Sequence, residues 1–168
     1  MPDATIRPAY SNWPRYDREL RAVVSALTDD QLALRPTPDR WPIWASIGHL
    51  ACQRVSWLCG FAGEPGAEGT PFPDALHRCP GDEYLEPAMT GPELATALES
   101  TFAIIDHVLD TWTLDMLDEV IRRPFGPEDW VYSRGSVLQR VFIHDAHHTA
   151  ELNETLGRNG LPLVDPWD

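Results

Sequence analysis

The sequence has 168 residues, of which 43% are hydrophobic, and this is enough to build one domain around an apolar core. Its 26 acidic residues outnumber its 13 basic residues, so the formal net charge is −13. Nucleic acids and anionic membrane surfaces are bound through clustered lysine and arginine side chains, and the acidic excess argues against both as partners.

The N-terminal residues carry no pattern typical of a signal peptide, and no apolar run reaches the roughly 18 residues needed to cross a bilayer. We therefore expect a soluble, cytoplasmic protein. The three cysteines, Cys52, Cys59 and Cys79, form no C-x-x-C pair. This sparse and odd-numbered set is typical of a reducing compartment and does not indicate a disulfide framework.

Two long helices and a short helical turn are predicted in the first third of the chain. Apolar residues at helical spacing predict the first helix over residues 10–27, with Pro14 in its first turn. Thr28 and Gln31 form a capping box that opens a short helical turn. The second long helix is predicted over residues 43–61 and is apolar on more than one face. Such a helix needs cover on several sides, from neighbouring helices or from another subunit.

Residues 63–92 are dense in proline and glycine, which excludes a long regular element. This segment is far longer than the usual connection between two helices. Two interpretations stand: a lid or wall of a binding site, and a crossover that spans a helix bundle. Thr90 and Glu93 form a second capping box, which predicts the start of the third long helix.

The last third of the chain predicts one further long helix. Residues 114–121 are expected to form a short helical piece and residues 124–130 a loop. No proline or glycine lies between Ser136 and Leu156, and Gly157 is expected to end the helix there. Four long helices without a strand pattern predict an all-α protein. The expected fold is a four-helix bundle with the Pro/Gly-rich segment as a crossover loop, in one domain over residues 1–168.

Two histidines lie on the inward stripe of the last helix. His144 and His148 are four residues apart, so their Cβ atoms are about 5–6 Å from each other and both rings can bind one ion. The alternative is a pair of core histidines hydrogen-bonded to backbone carbonyls. Burial of both rings would leave several polar atoms in need of partners, which favours the metal interpretation.

A metal site needs at least a third ligand, and His49 on the second long helix satisfies the geometry best. His49, His144 and His148 are therefore the candidate metal ligands. His147 is rotated by about 100° from His148, so it is a hydrogen-bond partner of a ligand, a surface residue or a contact to substrate. Glu151 is a fourth ligand, a base that acts on bound water, or a carboxylate on the helix surface.

The remaining histidines and cysteines are weaker candidates. Cys52 lies one turn after His49, and we interpret it as a small buried thiol in preference to a metal ligand. His77 lies in the Pro/Gly-rich segment, and His107 is expected to face the solvent.

Three patches of the sequence resemble the DinB-like superfamily, a group of small four-helix-bundle metalloproteins that includes thiol-dependent S-transferases. The first is residues 41–51, where Trp41 precedes His49-Leu50. The second is residues 134–148, which end with the two histidines spaced four residues apart. The third is residues 160–167, with the elements Gly-Leu-Pro and Asp-Pro-Trp. The likeness in helix order extends over nearly the whole chain. Thr149-Ala150 stands where the family frequently has Arg-Gly, and this difference leaves the substrate open.

The resemblance implies a divalent ion, commonly zinc or nickel, on His49, His144 and His148. It also implies a homodimer and the transfer of a low-molecular-weight thiol onto a small electrophilic molecule. The expected function is thus a metal-dependent thiol S-transferase. Two alternatives remain: a metal-dependent hydrolase, and a non-catalytic, stress-related binding protein with a structural metal.

If the metal site has a free position for a thiol or water, further residues are candidates for catalysis. Glu151 or His147 would carry the proton of the bound thiol or water, which makes both candidate catalytic residues. Arg134 and Arg140 are either anchors for a carboxylate of the thiol or its acceptor, or ordinary surface arginines.

Overall fold

The structure, a computed structural model, describes residues 4–125 and 128–167. The described chain is mostly helical and contains one two-stranded sheet. Its α-helices and strands are α1 (Trp13–Ser25), α2 (Asp29–Leu32), α3 (Ile43–Val55), α4 (Gly91–Thr111), β1 (Val120–Phe125), β2 (Glu128–Ser133) and α5 (Arg134–Arg158). Short 3-10 turns occur at Arg7–Tyr10, Ala67–Gly69 and Asp115–Asp118.

Both capping boxes form as predicted and fix where two helices begin. The backbone N–H of Thr28 donates to Oε1 of Gln31 at 2.9 Å, while the Thr28 hydroxyl accepts from the Gln31 N–H at 3.3 Å. Thr90 and Glu93 make the same reciprocal pair at the start of α4. These side chains satisfy N–H groups that no preceding helical carbonyl can reach.

The helix predicted over residues 43–61 is present, because α3 runs directly into a π-helical turn at Ser56–Phe61. Every residue of α3 is buried except Ser46 and Gln53, which are half-buried. Helices α2, α4 and α5 pack against α3 and cover its apolar excess. The cover that α3 requires therefore comes from within the chain, and this helix alone gives no reason to expect a partner subunit.

The expectation of a loop at residues 124–130 and of no strands is wrong. β1 and β2 form an antiparallel hairpin in which Val120 lies opposite Ser133 and Phe125 opposite Glu128. Only the 3-10 turn Asp115–Asp118 remains of the helical piece expected at residues 114–121. Most described residues of the hairpin are exposed, so the alternation of apolar and polar residues that marks a half-buried strand is missing.

The expectation of reduced cysteines is also wrong, because Cys52 and Cys79 form a disulfide while Cys59 remains free. The two residues are 27 positions apart, and the Pro/Gly-rich segment folds back on α3 until their Cα atoms lie 5.7 Å from each other. That separation is within the range that a disulfide requires. Cys52 is therefore not the buried free thiol that we expected.

The core of the described chain lies between α1, α3, α4 and α5, with Leu50, Leu98 and Leu152 among its buried residues. None of the helices described combines the length and the apolar character that a membrane crossing demands.

Candidate metal centre

The structure brings the rings of His49, His144 and His148 together between α3 and α5. The Nε2 atom of His144 lies 3.2 Å from Nε2 of His49 and 3.2 Å from Nε2 of His148. One ligand atom from each of the three residues lies within 4.8 Å of the others. Bonds of about 2.0–2.1 Å to a tetrahedral zinc ion would separate two ligand nitrogens by roughly 3.3 Å, so the spacing of these rings suits such an ion.

The outer nitrogens of two rings have oxygen partners that fix their orientation. Nδ1 of His49 lies 3.2 Å from the carbonyl oxygen of Pro80 and 3.4 Å from Oδ2 of Asp82. Nδ1 of His148 lies 3.0 Å from Oε2 of Glu151. A carbonyl can only accept, so Nδ1 of His49 carries the proton and its Nε2 presents a lone pair to the centre. Metal-binding histidines are commonly oriented by such carbonyl and carboxylate partners.

The three rings are neutral at neutral pH because burial disfavours their charged forms. Burial, reinforced by repulsion from His148 and His49, lowers the pKa of His144 to about 3. Burial and the neighbouring His49 lower the pKa of His148 to about 4, although Glu151 opposes the shift. Burial also lowers the pKa of His49, against the attraction of Asp82. Only a neutral imidazole has the lone pair that a metal ion needs, so the donor set fits a divalent cation.

Glu151 faces the site from behind His148 and does not point toward the three Nε2 atoms. Its Oε2 holds His148, while Oε1 lies 3.7 Å from Nε2 of His147 and 4.0 Å from the Arg40 guanidinium. The His147 side chain is 63% exposed, so it lies at the rim of the site. Glu151, His147 and His148 also have ligand atoms within 4.8 Å of one another, and this group shares His148 with the first.

A cleft of about 340 Å³ opens beside the histidines. Trp41 forms one wall: its ring lies 4.9 Å from the His49 ring and is stacked at 6.4 Å on His148. This volume is in the range of small-molecule sites. The cleft is lined by Pro36, Asp39, Arg40, Trp41, Ser46, His49, His147, His148 and Glu151.

A buried ion network next to the histidines was not predicted from the sequence. The Arg54 guanidinium donates to Asp145 at 2.7 Å and to Asp17 at 2.9 Å, and all three side chains are almost completely buried. Arg54 lies in the same helix as His49, and Asp145 directly follows His144. Trp13 of α1 also donates to Asp145, at 3.3 Å. Arg54, the one arginine in the mostly apolar helix α3, was the one sequence signal that pointed to this network.

The disulfide holds the segment that orients His49. Cys52 lies about one helical turn after His49, and Cys79 directly precedes Pro80, whose carbonyl accepts from the His49 ring. The Pro/Gly-rich segment therefore contacts the outer side of the His49 ring, although none of its residues, all of which the structure describes, lines the cleft beside the histidines.

The two histidines outside the site are largely exposed. The His77 side chain is 73% exposed and pairs with Asp74, and the His107 side chain is 46% exposed, with Nε2 3.7 Å from Glu64. Neither belongs to a metal-binding group among the described residues.

The two candidate arginines differ in their surroundings. Arg134 is paired with Glu64 at 2.8 Å and with Glu119 at 2.7 Å. The guanidinium carbon of Arg140 lies 4.2 Å from the centroid of the Trp57 ring. Both guanidinium groups thus lie over a tryptophan ring, and Arg134 is held in addition by two carboxylates.

Residues 15–152 match the model of the DinB superfamily, and the chain belongs to this family. Members of this superfamily often bind metal. The crystal structure of a DinB-like protein from Bacillus cereus ATCC 10987 is similar to this chain, with a TM-score of 0.67 over 96% of both chains. Sequence identity with that protein is 16%, so the likeness supports the fold alone. No curated protein matches the sequence.

Proposed function

We propose that the chain binds a divalent ion, zinc or nickel, through His49, His144 and His148, and transfers a low-molecular-weight thiol onto a small electrophile. This proposal rests on the convergence of the Nε2 atoms of the three histidines. In two of the rings, those of His49 and His148, the Nδ1 atom also contacts an oxygen that orients the ring. We also infer that α1, α3, α4 and α5 act as a four-helix bundle that presents these ligands from two of its helices.

A divalent ion held by His49, His144 and His148 would supply a positive charge that lowers the pKa of a thiol or water in a further position. In the transfer, the S–H bond breaks and the sulfur bonds to an electrophilic carbon of the acceptor. A leaving group on that carbon departs with its electron pair. We assign the thiol proton to Nε2 of His147 and from there to solvent, because this ring lies exposed at the cleft.

Glu151 has two proposed tasks in this scheme. Its Oε2 keeps His148 oriented, and its Oε1 lies 3.7 Å from Nε2 of His147, the ring to which we assign the proton. This arrangement supports Glu151 and His147 as catalytic residues. A cleft of about 340 Å³ beside the site supports an open metal in preference to a structural one, which would be closed by four protein ligands.

The first test is the metal content of protein purified without a metal-chelating tag. About one zinc or nickel ion per chain is expected after incubation with either metal. The ion should be lost in the His49→Ala/His144→Ala/His148→Ala variant and kept in the matched control His77→Ala, which removes an exposed histidine. A wild-type protein without any bound ion would reject the proposal.

The second test separates thiol transfer from the other metal functions. Small thiols should change the visible spectrum of the cobalt-substituted protein, because a thiolate bound to cobalt gives a strong charge-transfer band. An unchanged spectrum together with ester or amide hydrolysis would favour the hydrolase. An unchanged spectrum without any hydrolysis would favour a structural metal in a binding protein.

A further inference from the structure

We propose that a second groove beside the histidines, here called the acceptor groove, binds a flat monocarboxylate through Arg140. The further statement that this ligand is the electrophilic acceptor rests on the proposed thiol transfer. The binding of the carboxylate by Arg140 does not depend on that function. The groove has a volume of about 240 Å³ and lies between α3, α5, the hairpin and the Pro/Gly-rich segment. Among its lining residues are Gln53, Trp57, Asp82, Glu83, Trp130 and Arg140.

Among the described residues, no histidine lines the acceptor groove, but two of its lining residues lie one helical turn from candidate metal ligands. Arg140 lies one turn before His144 on α5, and Gln53 lies one turn after His49 on α3, so each is a neighbour of a candidate ligand on the same helix face. Asp82 lines the groove and also lies 3.4 Å from Nδ1 of His49. The groove therefore reaches the outer side of the His49 ring through Asp82.

Arg140 provides the positive charge for binding. Among the residues that the structure describes, no carboxylate oxygen lies within ion-pair distance of its guanidinium, in contrast to Arg134 with its two glutamates. The guanidinium lies 4.2 Å from the Trp57 ring centroid, where stacking restricts its motion. A stacked guanidinium keeps its N–H groups along one edge, and two parallel N–H groups match the two oxygens of a carboxylate.

Aromatic rings determine the shape of the ligand. Trp57 and Trp130 are stacked with their centroids 5.6 Å apart and their planes at 11°. Trp57 is buried, and its Nε1–H donates to Oε1 of Gln53 at 3.1 Å, which fixes the ring. Trp130 is 43% exposed and extends this aromatic surface toward the solvent. The exposed part of the Trp130 ring favours a planar, conjugated body on the carboxylate.

The acidic residues of the groove limit the charge of the ligand. Asp82 and Glu83 both line it, and Glu83 accepts from the backbone N–H of Cys79 at 2.6 Å. Their charges would repel a second anionic group on the ligand. The volume of about 240 Å³ is small for a ligand site. Together these features favour a small monocarboxylate over a phosphate or a dicarboxylate.

The test is calorimetric titration of trans-cinnamate, a planar monocarboxylate, into the full chain without metal and with zinc. Cinnamyl alcohol is the uncharged comparison. Arg140→Gln should weaken cinnamate binding about tenfold or more, because it removes a charged bidentate contact. Arg140→Lys should recover part of the loss. The matched control is Arg158→Gln, which removes an arginine from the far end of α5 and should leave binding unchanged. Trp130→Ala should weaken cinnamate and cinnamyl alcohol alike.

Three results would overturn the proposal: no cinnamate binding to the wild-type protein up to about 10 mM, equal binding of cinnamate and cinnamyl alcohol, or equal binding by wild type and Arg140→Gln. A further result would overturn the role of Arg140: cinnamate binds only when zinc is present, and Arg140→Gln binds it with the same affinity as the wild type. The carboxylate would then be assigned to the metal. Binding by the metal-free protein that depends on Arg140 would support the groove even where thiol transfer fails.

Discussion

The guanidinium of Arg54 and the carboxylate of Asp145 form a buried ion pair, 2.7 Å long, that joins the two helices carrying the candidate metal ligands. Asp145 directly follows His144, and Arg54 lies in the same helix as His49. The pair therefore fixes the position of α5 relative to α3 within a turn or two of the metal centre.

Loss of this ion pair should destabilise the protein strongly. Asp145→Ala leaves the Arg54 charge buried with Asp17 as its remaining carboxylate, and breaking such a pair typically costs about 3–5 kcal/mol in the free energy of unfolding. Urea denaturation followed by circular dichroism measures the change. Glu154→Gln, an exposed carboxylate on the same helix, is the control and should leave the unfolding midpoint almost unchanged. Equal effects of the two substitutions would contradict the structural role of Arg54 and Asp145.

Acid should destabilise the metal-free protein through its buried histidines. The folded-state pKa is about 3 for His144 and about 4 for His148, below the ordinary value of 6.5. The unfolded chain therefore binds more protons below pH 6.5, so their contribution to stability is complete above that pH and is lost as the pH falls through about 4 for His148 and about 3 for His144. Chelator-treated protein, unfolded in urea at several pH values, should show this slope. A triple alanine variant of His49, His144 and His148 should have a flatter profile, and an equally steep one would refute the assignment.

Removal of Glu151 should weaken metal binding without unfolding the protein. Glu151 accepts from Nδ1 of His148 at 3.0 Å, and loss of such a partner typically reduces metal affinity about 10–100-fold. Competition with a chromophoric zinc chelator measures the affinity of Glu151→Ala. The matched variant Glu154→Ala, on the same helix, should bind zinc as the wild type does. An unchanged affinity for Glu151→Ala would show that His148 needs no carboxylate partner.

The disulfide predicts the number of reactive thiols in the chain. Alkylation of the unfolded, unreduced protein should label one cysteine, Cys59, while alkylation after reduction should label three. Intact-mass spectrometry counts the labels. Reduction should also destabilise the fold by about 3 kcal/mol, since it opens a closed loop of the chain. Three labels before reduction would exclude the Cys52–Cys79 bond.

The homodimer stays a prediction from the family resemblance. Phe142 is 46% exposed and Ile143 57% exposed on α5, and burial of such side chains is a common source of dimer stability. Light scattering of the wild type should give twice the mass of 18.9 kDa, and Ile143→Glu should shift the mass toward the monomer. A monomeric mass for the wild type would rule the dimer out.

The sequence predicted best the features that local chemistry specifies. The capping boxes at Thr28 and Thr90 require residues three positions apart, so short windows of sequence reveal them. The four-residue spacing of His144 and His148 likewise places both rings on one helix face. His49 could be predicted as the third ligand because the sequence has few other histidines on a long helix.

Features set by contacts between distant residues were missed. The disulfide joins cysteines 27 positions apart and depends on how the Pro/Gly-rich segment folds back. Arg54 meets Asp145 only after α3 and α5 have packed, and a polar pair across helices leaves no periodic pattern. The hairpin was missed because most of its side chains are exposed and show no alternation. Arg134 and Arg140 differ only in their tertiary partners.

Each half of the candidate metal centre carries its own orienting group. Glu151 lies three residues from His148 on α5, and the Cys52–Cys79 bond ties the Pro80 carbonyl to the helix of His49. The rings of His49 and His148 are thus each oriented from their own side of the site. A divalent ion would therefore find both rings oriented before it binds, with their Nε2 atoms already at a suitable spacing from that of His144.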